Sequence, residues 1–93
     1  MGDWTDRPPD AVYDLHGQSV AEATTNTEVF LRAQSKARPG GVVRVITGRG
    51  RSGGGAPVRT RVRSLLRGLR DRAQVVREFV LEDSEGSFLI RLR

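Results

Sequence analysis

Four short runs of strand character are interrupted by two runs with helical spacing, in an order that admits few folds. Ala11–His16 is short and mostly apolar, with Val12 and Tyr13, and Gly17 breaks it. Ser19 followed by Glu22 has the spacing of a capping box and predicts a helix from near Val20. Val20, Thr24, Thr27, Phe30 and Leu31 share one face of it, with Thr where Leu would be expected. This helix should end before Pro39-Gly40-Gly41. Val42–Thr47 is rich in β-branched residues and reads as the second strand. Pro57 suits the first turn of a second helix, where its missing N–H costs nothing. Val58, Val62, Leu65, Leu66 and Leu69 then form an apolar stripe, with Arg59, Arg63, Arg67 and Arg70 on a neighbouring face.

Val75–Glu82 and Ser87–Arg93 alternate as strands do, with Val75, Phe79 and Leu81 on one side of the first. Phe88, Ile90 and Leu92 share a side of the second. The turn Asp83-Ser84-Glu85-Gly86 makes the pair an antiparallel hairpin. Alternation there implies one covered sheet face and one partly wet face. The order β-α-β-α-β-β predicts an α/β (α+β) two-layer sandwich: a mixed four-stranded sheet with both helices on one side.

The chain has 93 residues, enough for one domain, expected at 11–93 behind a flexible lead-in at 1–10 that carries Pro8-Pro9. No apolar run nears the ~18 residues of a membrane span and no apolar segment follows Met1. These features argue against export and membrane association, and make the cytoplasm the expected location. The absence of cysteine excludes disulfides, thiolate zinc sites and Cys nucleophiles. His16 is the only histidine, which excludes two-histidine acid–base catalysis and His-rich zinc clusters within one chain.

The formal charge of +5 is unevenly distributed. Residues 1–31 hold six acids and one base, residues 32–77 hold thirteen bases and one acid, and residues 78–93 hold four acids and two bases. A basic centre between acidic ends implies a directed positive face and a polyanionic partner. Fifteen of the sixteen bases are Arg. Coding bias accounts for Arg in place of Lys, but not for the clustering.

Two motifs carry candidate chemistry. In Asp14-Leu15-His16-Gly17, strand geometry would put Asp14 and His16 on one surface beside a turn, a carboxylate and an imidazole able to orient water or hold a metal. The structural alternative has His16 ending the strand and Asp14 bonding loop amides. Gly48, Gly50 and Gly53 match G-x-G-x-x-G between a strand and a helix. The Rossmann reading fails because Asp71 falls before the third strand and the chain is too short for a doubly wound sheet. A P-loop fails for want of Gly-Lys-Ser/Thr. Open backbone amides, a helix N-terminus, Arg49 and Arg51 would still make an anion cradle; the alternative is a flexible connector. Arg59 clusters with that loop, whereas Arg67 and Arg70 read as a solvated face. The aromatic residues are too few to form a base-stacking platform.

Taken together, Asp14-Leu15-His16-Gly17, Glu22-Ala23, Val45-Ile46-Thr47-Gly48-Arg49-Gly50 and the Gly-Gly-Gly-Ala-Pro stretch before an Arg-rich helix resemble the small MutS-related (Smr) domain, from about Val12 to Leu92. The resemblance implies a fold like the C-terminal domain of translation initiation factor three, and nucleic-acid binding. It further implies endonuclease or nickase activity on DNA or RNA, with the ribosome among the expected partners. The alternative is a non-catalytic nucleic-acid- or ribosome-binding module. The motif regions fall on Asp14 and His16 as catalytic residues, and on Gly17, Thr47, Gly48, Arg49, Gly50, Arg51 and Arg59 as phosphate contacts. A divalent cation, Mg or Mn, is a candidate cofactor on DNA. The family often has His where this chain has Thr47, which would remove a second acid. The ATPase and clamp domains of MutS-type proteins cannot fit in this length, so a monomeric, stand-alone Smr protein or an excised domain is expected.

Overall fold

The computed structural model describes residues 3–48, 55–83 and 86–93. After a single 3-10 turn at Trp4–Asp6, the order is β1 (Ala11–Asp14), α1 (Val20–Ala37), β2 (Val42–Ile46), α2 (Gly55–Asp71), β3 (Val76–Leu81) and β4 (Ser87–Leu92). This is the order expected from the sequence, with the strands one to two residues shorter. The first helix begins as the capping box requires. The Ser19 side chain accepts the Glu22 amide at 3.1 Å, and the Glu22 carboxylate accepts the Ser19 amide at 2.9 Å. The Ser19 backbone amide, and after it the Ser19 side chain, hold the Glu22 carboxyl below its usual range.

The sheet runs β1-β2-β4-β3, with β1 parallel to β2 and β4 antiparallel to both β2 and β3. The steps from β1 to β2 and from β2 to β3 therefore run in the same direction across the sheet. Right-handed crossovers then place both helices on the same face. The core lies between these layers: Val43, Val45, Phe88, Ile90 and Leu92 from the sheet meet Ala23 and Leu31 of α1 and Val58, Val62, Leu66 and Leu69 of α2. The apolar stripe of α2 is buried as its spacing predicts, with Leu65 at the margin.

Two details depart from the simple alternation. Val42 and Leu89, on the face away from the helices, are 0% and 3% exposed, so the centre of that face is covered. It is wet towards the edges, at Val12 and Val80, while the Arg44 and Arg91 side chains of the central strands stay partly exposed. On the same face the Trp4 indole donates to Glu78 at 2.9 Å, which ties the N-terminal turn to β3. The second departure lies in β3. The fully buried residue at its start is Val76, with Val75 only half-buried. Val76 pairs with Leu92 and Glu78 with Arg91, so β3 carries one extra residue at Arg77. This bulge restores the phase and turns Phe79 and Leu81 inward.

Candidate functional site

Parallel pairing brings the two motifs to one edge. Ala11 to Asp14 register with Val43 to Ile46, and the Leu15 amide extends the ladder to the Ile46 carbonyl at 2.9 Å. Both strands therefore finish at the same end of the sheet, where α1 and α2 begin. In open parallel α/β sheets the carboxyl ends of the strands are where ligands bind, and β1 and β2 form the one parallel pair here.

After β1 the chain turns sharply. The Gln18 amide donates to the Leu15 carbonyl at 3.1 Å, and Gly17 takes φ +82°, a left-handed value that suits glycine at the third turn position. Leu15 is buried and anchors the turn, leaving His16 exposed on the tip. The Asp14 carboxylate accepts the His16 backbone amide at 2.9 Å. Asp14 thus fixes the backbone of the turn, as the structural alternative for this motif has it, and the His16 side chain makes no hydrogen bond among the described residues. The turn is also held to α1, since Gln18 donates to the Tyr13 hydroxyl at 3.1 Å and Asn26 donates to Gln18 at 3.0 Å.

The second motif departs from an open cradle. Thr47 is 8% exposed, and its amide and that of Gly48 both donate to the Gly86 carbonyl, at 2.8 and 3.0 Å. The Gly48 N–H, open by sequence reasoning, is therefore already bonded. The Thr47 hydroxyl lies 3.4 Å from the same carbonyl and faces the protein. Gly48 has φ +86° with nothing within 4 Å of a notional Cβ, so its conformation rather than its size requires glycine. Arg49, Gly50 and Arg51 lie outside the described residues.

What seats Gly86 was not apparent in the sequence. Glu82 and Ser87 flank the β3–β4 turn, and the Ser87 hydroxyl donates to the Glu82 carboxylate at 2.6 Å. Arg44 of β2 donates to the two oxygens of the same carboxylate at 2.8 and 3.0 Å. The Arg44 bonds hold the Glu82 carboxyl below its usual range despite partial burial, and Ser87 adds to the effect. In return, bonding to Glu82 raises Arg44. No local signal marks this group, because it depends on β4 lying between β2 and β3.

The sequence matches the Smr domain family over residues 13–93, from Tyr13 to the last residue. The chain belongs to the Smr family. Comparison with curated proteins gives no match. Membership makes this a module of a nucleic-acid-binding and nuclease family, and among the described residues no helix is long and apolar enough to cross a membrane.

The Smr domain presents five of its sixteen basic residues from α2. Arg59 and Arg63 are half-buried and Arg67 is exposed. Arg70 lies over the Phe79 ring, 5.1 Å from its centroid, and pairs with Asp71 at 3.3 Å. Among the described residues no three His, Cys, Asp or Glu side chains gather where they could hold a metal. Asp14 and His16 could supply two protein ligands to a cation, with the remaining positions left to solvent or a substrate phosphate.

Proposed function

We propose that this Smr domain binds a nucleic-acid backbone at the shared edge of β1 and β2 and cleaves it as an endonuclease, with His16 as the proton-transfer group. The observation that carries this reading is the parallel register, which ends β1 and β2 together, so that the turn bearing an exposed imidazole, with no hydrogen bond among the described residues, adjoins the Gly48 turn. On RNA, His16 would take the proton of the 2′-hydroxyl. The oxygen attacks the adjacent phosphorus, and the 5′-oxygen leaves with a proton from water, giving a cyclic phosphate and a 5′-hydroxyl. On DNA the attacking oxygen would come from water. Mg or Mn, if used, would have to be completed by substrate and solvent, and no step above needs it.

Asp14 is a positioning residue here, because it holds the His16 backbone. Gly17 supplies the turn that exposes the imidazole. Thr47 seats Gly48 through Gly86, so the direct phosphate contacts fall to Arg49, Gly50, Arg51 and Arg59. The setting assumed is a monomer in the cytoplasm.

One observation favours a second reading, binding to RNA or the ribosome without cleavage. Thr47 is buried where the family often has His, so among the described residues no second proton-transfer side chain joins His16. Incubation with end-labelled structured RNA and supercoiled plasmid, with and without EDTA, separates the two. Cleavage by wild type that His16→Ala abolishes without weakening binding supports the enzyme. Equal cleavage by both refutes the assignment to His16. Absence of cleavage with salt-dependent binding, about −0.9 in log–log slope per duplex phosphate, leaves the binding module.

A further inference from the structure

The charge on the helix layer has a direction that the sheet order makes legible. The N-terminal half of α1 carries Glu22 and Glu28, and β1 is flanked by Asp10 and Asp14. Towards the other side, α2 holds a single acid, Asp71, already paired with Arg70 in its last turn. Arg63 and Arg67 make no ion pair or hydrogen bond among the described residues. Neither does Arg77, which is exposed at the β3 bulge.

These cations share a side of the molecule. β3 is an edge strand, and α2 packs against it. Arg70 reaches over Phe79 of β3, which fixes the rotation of α2 about its axis. Arg63 lies seven positions before Arg70, within about 20° of it around the helix, so it faces the β3 edge and not α1. Arg67 lies about 60° round from Arg70, away from the apolar stripe, and points outward from the same flank. The N-terminus of this same helix adjoins the site at the ends of β1 and β2.

We infer that the bound nucleic acid leaves the site along the outer flank of α2, above the β3 edge, with Arg63, Arg67 and Arg77 on its phosphates. This inference rests on the nucleic-acid reading of the site. The 17 residues of α2 span about 25 Å. At the duplex value of about 3.4 Å of axis per phosphate of one strand, that length corresponds to at most about seven nucleotides, and an extended single strand spans it with fewer. The opposite course, over α1, would meet Glu22 and Glu28, and there Arg32 is engaged by Glu28 at 2.8 Å.

The test compares fluorescence-anisotropy titrations of a labelled single-stranded RNA long enough to span α2, across a salt series. The proteins are wild type, Arg63→Gln/Arg67→Gln, Arg77→Gln, and Arg32→Gln/Lys36→Gln as a control of equal charge on α1. Gln keeps helix propensity close to that of Arg. Thermal unfolding of each variant checks the fold, and Arg77→Gln tests the path from a different element. Loss of two single-strand contacts weakens binding about 25-fold at about 0.1 M salt and flattens the log–log slope by about 1.4. That result for the α2 pair, half that slope change for Arg77→Gln and little change for the α1 control are expected. Wild-type binding with equal losses in the α2 and α1 pairs overturns the path and leaves the site intact. Failure of wild type to bind overturns the nucleic-acid reading itself.

Discussion

Replacing Glu82 with Gln tests how the second motif is held. The carboxylate receives two bonds from Arg44, at 2.8 and 3.0 Å, and one from the Ser87 hydroxyl at 2.6 Å. Gln preserves the size of the side chain and one acceptor but removes the charge. The side chains of Arg44 and Glu82 remain 35% and 24% exposed, so water screens the pair and the several kcal/mol of a buried ion pair does not apply. A loss of about 1 kcal/mol is expected, or about 4–8 °C in melting temperature for a domain of this size. The Glu82 carboxyl is lowered from its ordinary value of 4.5 in the folded protein. Its contribution is therefore fully present above that value and is lost as pH falls through the lowered folded one. Denaturant unfolding of wild type and Glu82→Gln at a series of pH values reads both effects. The gap in stability should be widest at neutral pH and should narrow as pH falls below 4.5 and through the lowered folded value, because Gln does not titrate. A gap of constant size across that range would refute the electrostatic account and assign the loss to packing. Hydrogen exchange gives a local readout, with faster exchange expected at the Thr47 and Gly48 amides that the Gly86 carbonyl holds.

Two further substitutions test single features of the fold. Gly17 has φ +82° with open space where a Cβ would stand, so Gly17→Ala should cost about 1–2 kcal/mol from backbone strain alone. Gly17→Asn, which tolerates that region better, should recover part of the loss in the same unfolding assay. Thr27 is fully buried in α1 and its hydroxyl has no hydrogen-bond partner among the described residues. Thr27→Val keeps the shape and removes that orphaned group, so a gain of about 1 kcal/mol is expected; a loss would show that the hydroxyl is satisfied in solution.

Local physics made much of this protein legible in its sequence. The Ser19–Glu22 box started α1, because capping is decided within one turn of chain. The stripe from Val58 to Leu69 committed α2 to the core, because helical spacing needs no knowledge of the partner layer. Phe88, Ile90 and Leu92 faced inward for the same reason with a period of two. The two motifs and their order were also visible, and with them the family.

Contacts between distant segments were decided elsewhere. Nothing local states that β4 inserts between β2 and β3, yet this places the Gly86 carbonyl against the Thr47 and Gly48 amides. That one placement changed an open cradle into a braced turn. Nor does the spacing of Asp14 and His16 say whether the carboxylate meets the imidazole or the backbone amide; the turn at Gly17 selects the amide. The extra residue at Arg77 moved the buried position at the start of β3 to Val76, because register with β4 outweighs alternation within β3. Periodicity is a property of one segment and can be read along the chain. Register, strand order and the pairing of buried polar groups are properties of two segments at once, and only their packing fixes them.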